Sequence, residues 1–261
     1  MDHRRFIVFS DDEVFGPHNI SEEKEIPRLT YTTWITNDVL PDDLFLYQEF
    51  NIQEFLEKRN CFLKDFRMED GSLYSSWLDT RCKEVNLNPK KILTDLQKEQ
   101  SLISAKELPS QRRLDRALGY GMTDSGDRPQ FYGFTTQNTK AIADALHDYK
   151  KYSTKKYQPL KKVDNGLLSI QPLTAFTSVL YEYTPWTGTP ESIYSTGYSK
   201  NIKTTSGKLT QTWVPGWGIH GVYLFWKVWK MYWPEDLALY YHTTDIEKYT
   251  NINPVKKFLN L

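Results

Sequence analysis

Residues 88–104 read NPKKILTDLQKEQSLIS, and the fold turns on them. Asn88 is a good N-cap and Pro89 suits the first helical position, so a helix begins here. The reciprocal half of a capping box is missing, because Lys91 stands where a Glu would bond back. On a wheel with Ile92 at zero, Leu96 falls at about 40°, Ile103 at about 20° and Leu93 at about 100°. Glu99 falls at about −20°, inside the apolar stripe, while Lys90, Lys91, Thr94 and Lys98 lie on other sides. A charged side chain facing a core is costly unless it is paired or lines a cleft. Glu99 is therefore either a general acid in apolar surroundings, or a glutamate at the stripe's edge that reaches water or pairs with Arg112, Arg113 or Arg116.

The chain around this helix has 261 residues, enough for one large domain or two small ones. With 39% apolar and 25% charged residues it can build a core. Its net charge of zero argues against a dedicated nucleic-acid binder. Aromatic residues stand out, with 17 Tyr, 13 Phe and 8 Trp. Such rings fill cores and also stack on flat partners such as sugar faces. No apolar run is long enough to span a membrane. The opening MDHRRFIVFSDDEVF is not a convincing signal peptide, so we expect non-classical export, a phage origin or a trimmed signal. Action at the cell wall or outside the cell is still the expectation. Cys61 and Cys82 allow either a disulfide worth about 3 kcal/mol or two buried thiols. There is no CxxC, and the five histidines show no HxxxH spacing, so no metal centre and no cofactor are expected.

Other segments fall into place on both sides. Residues 1–40 read as an N-terminal arm, with FIVF a short strand and Ser21 opening a helical turn. The rest, 41–261, reads as a single domain. Asp42 or Asp43 is expected to start a helix through LFLYQEFNIQEFLEKR, and Ser72 to cap LYSSWLDTRCKEVNL. After residue 104 the chain becomes rich in Gly and Pro. Here Tyr120, Asp124, Asp127, Tyr132 and Gln137 are polar or amphipathic groups able to converge on a loop-borne site. DSGD reads as a solvated turn rather than a calcium loop. Thr136 or Asn138 is expected to cap TKAIADALHDYKKYS. The basic run KKYSTKKYQPLKK reads as solvated surface rather than a polyanion site. A further helix is expected from Ser169 to the residue before Pro185. A hairpin turn is expected at Ser206-Gly207, and an aromatic helix carrying Val222, Trp226, Trp229 and Trp233 should stop at Pro234.

Five segments in order then suggest a family: LQKEQSL at 96–102, ALGYG at 117–121, YGF with a following Gln at 132–137, LYEYTP at 180–185 and LFWKVW at 224–229. Together with IQEFLEKRNCFL at 52–63, they resemble a group of bacterial cell-surface proteins, some labelled haemagglutinin-like. These are similar to the lysozyme-like cell-wall glycosidases, which include lytic transglycosylases and N-acetylglucosaminidases. The resemblance implies a mainly α, lysozyme-like domain with loop-rich or short β-hairpin insertions. It implies that Glu99 is catalytic at the end of a central helix, and that Tyr120, Asp124, Tyr132, Phe134 and Gln137 contact substrate. The chain departs from the common pattern in having Glu-Gln where Glu-Ser is usual, and in lacking Gly-Leu-Met-Gln downstream.

The implied activity is cleavage of β-1,4 bonds in peptidoglycan or a related N-acetylhexosamine polymer, of muramidase, transglycosylase or N-acetylglucosaminidase type. A two-carboxylate mechanism needs a partner acid. Asp115, Asp124 and Asp127 are the candidates, but the expectation is that Glu99 acts as sole acid/base. The rivals are a non-catalytic glycan-binding or adhesion module and a phage virion component.

Overall fold

A computed structural model describes residues 8–9, 34–122, 126–188, 198–203, 209–214 and 220–237. The protein is mainly helical. The chain forms two compact units, Pro41–Lys156 and the combination of Met1–Leu40 with Tyr157–Leu261. A boundary after residue 40 is thus joined by another after Lys156.

The unit 41–156 holds α1 (Ile52–Lys58), α2 (Tyr74–Val85), α3 (Pro89–Gln100), α4 (Gln111–Leu114) and α5 (Phe134–Ser153). The helix expected from Asp42 or Asp43 is shorter than its apolar spacing suggests. Residues Asp42–Leu44 make one 3-10 turn, and α1 begins only at Ile52, where the Asn51 side chain accepts from Glu54 N. Ser72 does not cap α2: its backbone N–H and hydroxyl donate to Asp70 instead. Gly133 stands at the start of α5 with φ 100°, so Thr136 and Asn138 lie within the helix. Asn138 there donates to Phe134 O and accepts from the buried Tyr74 hydroxyl at 3.0 Å.

Helix α3 occupies the middle of this unit. Asn88 caps it by accepting from Lys90 N at 3.0 Å, and Pro89 fills the first turn as expected. The Asn88 backbone and side-chain N–H groups also donate to Phe45 O and Leu44 O, fastening the helix start to the preceding turn. The wheel put Lys90, Lys91 and Thr94 on outer sides. They are buried, as is every residue from Pro89 to Leu96. Each polar group is matched locally. Lys91 pairs with Asp95 at 2.7 Å with both side chains 3% exposed, and Thr94 donates to Lys90 O. The Lys90 ammonium lies 5.4 Å from the Phe50 ring centroid. Cys61 and Cys82 are both buried free thiols, and Cys61 donates to Leu102 O.

Among the described residues, the other unit contains three two-stranded antiparallel sheets and the helices α6 (Ala175–Tyr183) and α7 (Gly221–Tyr232). Strand β1 (Val8–Phe9) pairs with β2 (Trp34–Ile35), so part of the expected FIVF strand is present. Strands β3 (Lys161–Val163) and β4 (Leu168–Ile170) form a hairpin, and β5 (Tyr198–Lys203) pairs with β6 (Leu209–Val214). The Ser206-Gly207 and Ser21 turns lie outside the described residues. Ser169 belongs to β4 rather than to a helix. Helix α6 (Ala175–Tyr183) starts six residues later than the expected Ser169, where Thr174 accepts from Thr177 N. It ends before Pro185, and α7 (Gly221–Tyr232) ends before Pro234, as the prolines require.

Residues 36–40 run along α6. Leu173 N donates to Asn37 O, Val39 N to the Thr177 hydroxyl, Thr174 to Leu40 O and Tyr181 to Thr36 O. The α7 rings close the core, with Trp229 edge-on to Phe176 at 5.9 Å and to Trp233 at 5.3 Å.

Candidate functional site

Glu99 lies in the last turn of α3, just before Ser101 adopts φ 52° and ends the helix. Its side chain is 23% exposed and pairs with the Lys98 ammonium. The arginines weighed as its partners are placed elsewhere: Arg113 donates to Gln100 O and Arg116 pairs with Asp127. Glu99 is thus partly exposed and ion-paired, unlike the fully buried Ile92, Leu93 and Leu96 of the apolar stripe.

The described parts of the following loop, 118–122 and 126–132, are shaped by Gly119, Gly121 and Gln137. Gly119 and Gly121 have φ of 74° and 76°, the left-handed region that glycine enters at no steric cost. A Cβ on Gly121 would lie 2.6 Å from the Phe131 ring. Between these glycines stands Tyr120, whose backbone is held on both sides by one amide. The Gln137 oxygen accepts from Leu118 N and Tyr120 N, both at 3.1 Å. Its nitrogen donates to Tyr120 O at 2.9 Å and to Phe131 O at 2.6 Å. An amide has two donors and two acceptor lone pairs, so this side chain, 0% exposed, is saturated.

The Tyr120 ring lies between groups from α3 and α5. Burial pushes its phenol well above the ordinary tyrosine value, and the carboxylates of Asp95, Asp144, Asp148 and Glu99 push it further. The Lys140 ammonium lies 5.8 Å from the ring centroid and pairs with Asp144. Chemically, the unit offers a partly exposed carboxyl at the end of α3 and, separately, a buried phenol whose backbone is fixed by Gln137.

The other expected site residues divide. Tyr132 is half-buried and donates to Asp127 at 3.1 Å, while Asp127 also pairs with Arg116. That network braces the two ends of the loop. Phe134 belongs to the core, edge-on to Phe66 at 5.0 Å and Tyr74 at 5.2 Å. Gln137, with every valence on backbone, positions Tyr120 and has nothing left for a ligand. Asp124 lies outside the described residues. Of the proposed second acids, Asp115 accepts from Gln111 and Asp127 is committed to Arg116 and Tyr132. Among the described residues no group of three or more His, Cys, Asp or Glu side chains is placed to hold a metal ion.

Two features escaped the wheel. One is the buried Lys91–Asp95 pair, whose only signal is the i,i+4 spacing of opposite charges. The other is Asp164 in the second unit, which accepts from Thr187 N at 2.9 Å and from the Thr187 hydroxyl at 2.7 Å. Comparison of the chain with protein-family models, with curated proteins and with solved structures returned no match.

Proposed function

We propose that the protein is a lysozyme-like glycosidase that cleaves β-1,4 bonds in peptidoglycan or a related N-acetylhexosamine polymer, with Glu99 as general acid/base. One observation carries the reading. A carboxyl that is 23% exposed stands in the last turn of a helix whose first two turns are wholly buried. Rigid supports of this kind hold a catalytic group in place.

In the proposed reaction the Glu99 carboxyl gives its proton to the glycosidic oxygen as the bond to C1 breaks. Positive charge develops on the ring carbon and oxygen. Water or the sugar's own 6-hydroxyl then bonds to C1 and returns a proton to Glu99. Lys98, paired with the carboxylate, offsets its charge between the two steps. Asp127 is already tied to two partners, so a single acid/base fits better than a pair that includes it.

Mass spectrometry of digested peptidoglycan tests this directly. Glu99→Gln should lower release at least about 100-fold, the usual weight of general acid catalysis. A 1,6-anhydro end would identify the 6-hydroxyl as acceptor, and a reducing end would identify water. The Lys98–Glu99 pair gives a second reading some support, since a carboxylate held by an ammonium also serves a glycan-binding module. Binding without release, unchanged by Glu99→Gln, would favour that reading.

A further inference from the structure

The basic run ends at 157–162, in the unit that holds β3 and β4, with Lys161, Lys162 and no acid, and the activity proposed above makes no use of it. Within it and just beyond lie three of the five large hydrophobic side chains exposed among the described residues. These are Tyr157 at 73%, Leu160 at 59% and Leu167 at 63%. The hairpin register accounts for their outward direction. Lys162 pairs with Ser169 and Val163 with Leu168, while Val163 and Ile170 are buried. Side chains alternate along a strand, so Leu160 and Lys162 fall on the face opposite Val163. Leu167 closes the turn made by Asp164, Asn165 and Gly166, all at positive φ. Lys161 pairs with Glu182 of α6, which ties the hairpin's base to the unit.

We propose that the β3–β4 hairpin is a peripheral anchor for anionic lipid bilayers. Exposed apolar side chains are ordinary when scattered, but here Tyr157 and Leu160 just before β3 and Leu167 in its turn lie within one eleven-residue stretch together with the exposed Lys162. Lysine ammonium groups complement the negative leaflet surface. Leu160 and Leu167 enter the acyl boundary, and the Tyr157 ring suits the headgroup level. A soluble polyanion would meet the lysines and leave the leucines in water, which is why a bilayer is the better occupant. No helix among the described residues is long and apolar enough to cross a membrane, so this contact is with the surface.

Co-sedimentation of the full chain with vesicles tests the anchor. Binding should be at least about tenfold stronger to vesicles containing roughly one-third phosphatidylglycerol than to pure phosphatidylcholine. Lys162→Ala should weaken it about fivefold, the equivalent of about 1 kcal/mol per lysine. The double change Leu160→Ser with Leu167→Ser should weaken it at least about tenfold without altering charge. Both leucines are exposed, so unchanged circular-dichroism melting should show that the variant folds. Equal binding by the wild type to both vesicles, or no loss in the leucine variant, would overturn the proposal. So would binding to soluble polyphosphate that matches the vesicles, or a leucine effect seen only in self-association. None of these readouts depends on glycan cleavage.

Discussion

At the scale of single residues, Gln137 shows how much one buried amide can organise. It satisfies two N–H groups and two carbonyls of a loop that would otherwise have to find four partners. Gln137→Leu should destabilise the protein by about 3 kcal/mol, since each buried group left unmatched costs about 1–3 kcal/mol. Urea unfolding measures that loss. Asp164 makes a different prediction. Burial raises its carboxyl above the ordinary value, against the Thr187 hydrogen bonds and the nearby His220, which lower it. A group that holds its proton more tightly when folded stabilises most in acid, and its contribution declines as pH rises from the ordinary carboxylate value through the raised one. Asp164→Asn can still accept from Thr187 N and donate to the Thr187 hydroxyl. It should therefore remove that decline, seen as a flatter dependence of unfolding free energy on pH above the ordinary carboxylate value of about 4.

At the scale of elements, α3 is the clearest case of local chemistry and context acting separately. Its start follows from Asn88 and Pro89, and its place at the centre of its unit follows from Ile92, Leu93 and Leu96. Its buried ion pair does not follow from the wheel. Two charges withdrawn from water persist only because each neutralises the other. Asp95→Ala should cost about 3–5 kcal/mol by removing the carboxylate that faces the buried Lys91 ammonium, whereas Lys91→Met with Asp95→Leu should recover most of that loss. Thermal unfolding of the single and double variants checks the pair. The β3–β4 hairpin has a local signal in Asn165-Gly166, a dipeptide that favours tight hairpin turns. The lysines before it read as solvated surface, and the strand pairing becomes evident in the structure. The 3-10 turn at Asp42–Leu44 was not legible, because its departure from helix depends on the long-range bonds from Asn88 to Leu44 and Phe45.

At the scale of the whole molecule, a chain of zero net charge is divided into two units, each with its own aromatic core. Residues 153–157 are all exposed at the division. Trypsin should therefore cut first after Lys155 or Lys156, and mass spectrometry of the earliest fragments should find that boundary. What the sequence by itself determined was local: the cap at Asn88, the glycines around Tyr120, the stops before Pro185 and Pro234, and a mainly helical class. Those features are set by a few neighbouring residues whose backbone chemistry leaves few choices. Tertiary structure alone decided that α3 is buried all round, that Gln137 serves the loop and Phe134 the core, and that Glu99 faces Lys98 at the unit's edge. These outcomes depend on groups brought together from distant positions, and the free energy of burying a polar atom is fixed only when its partner arrives.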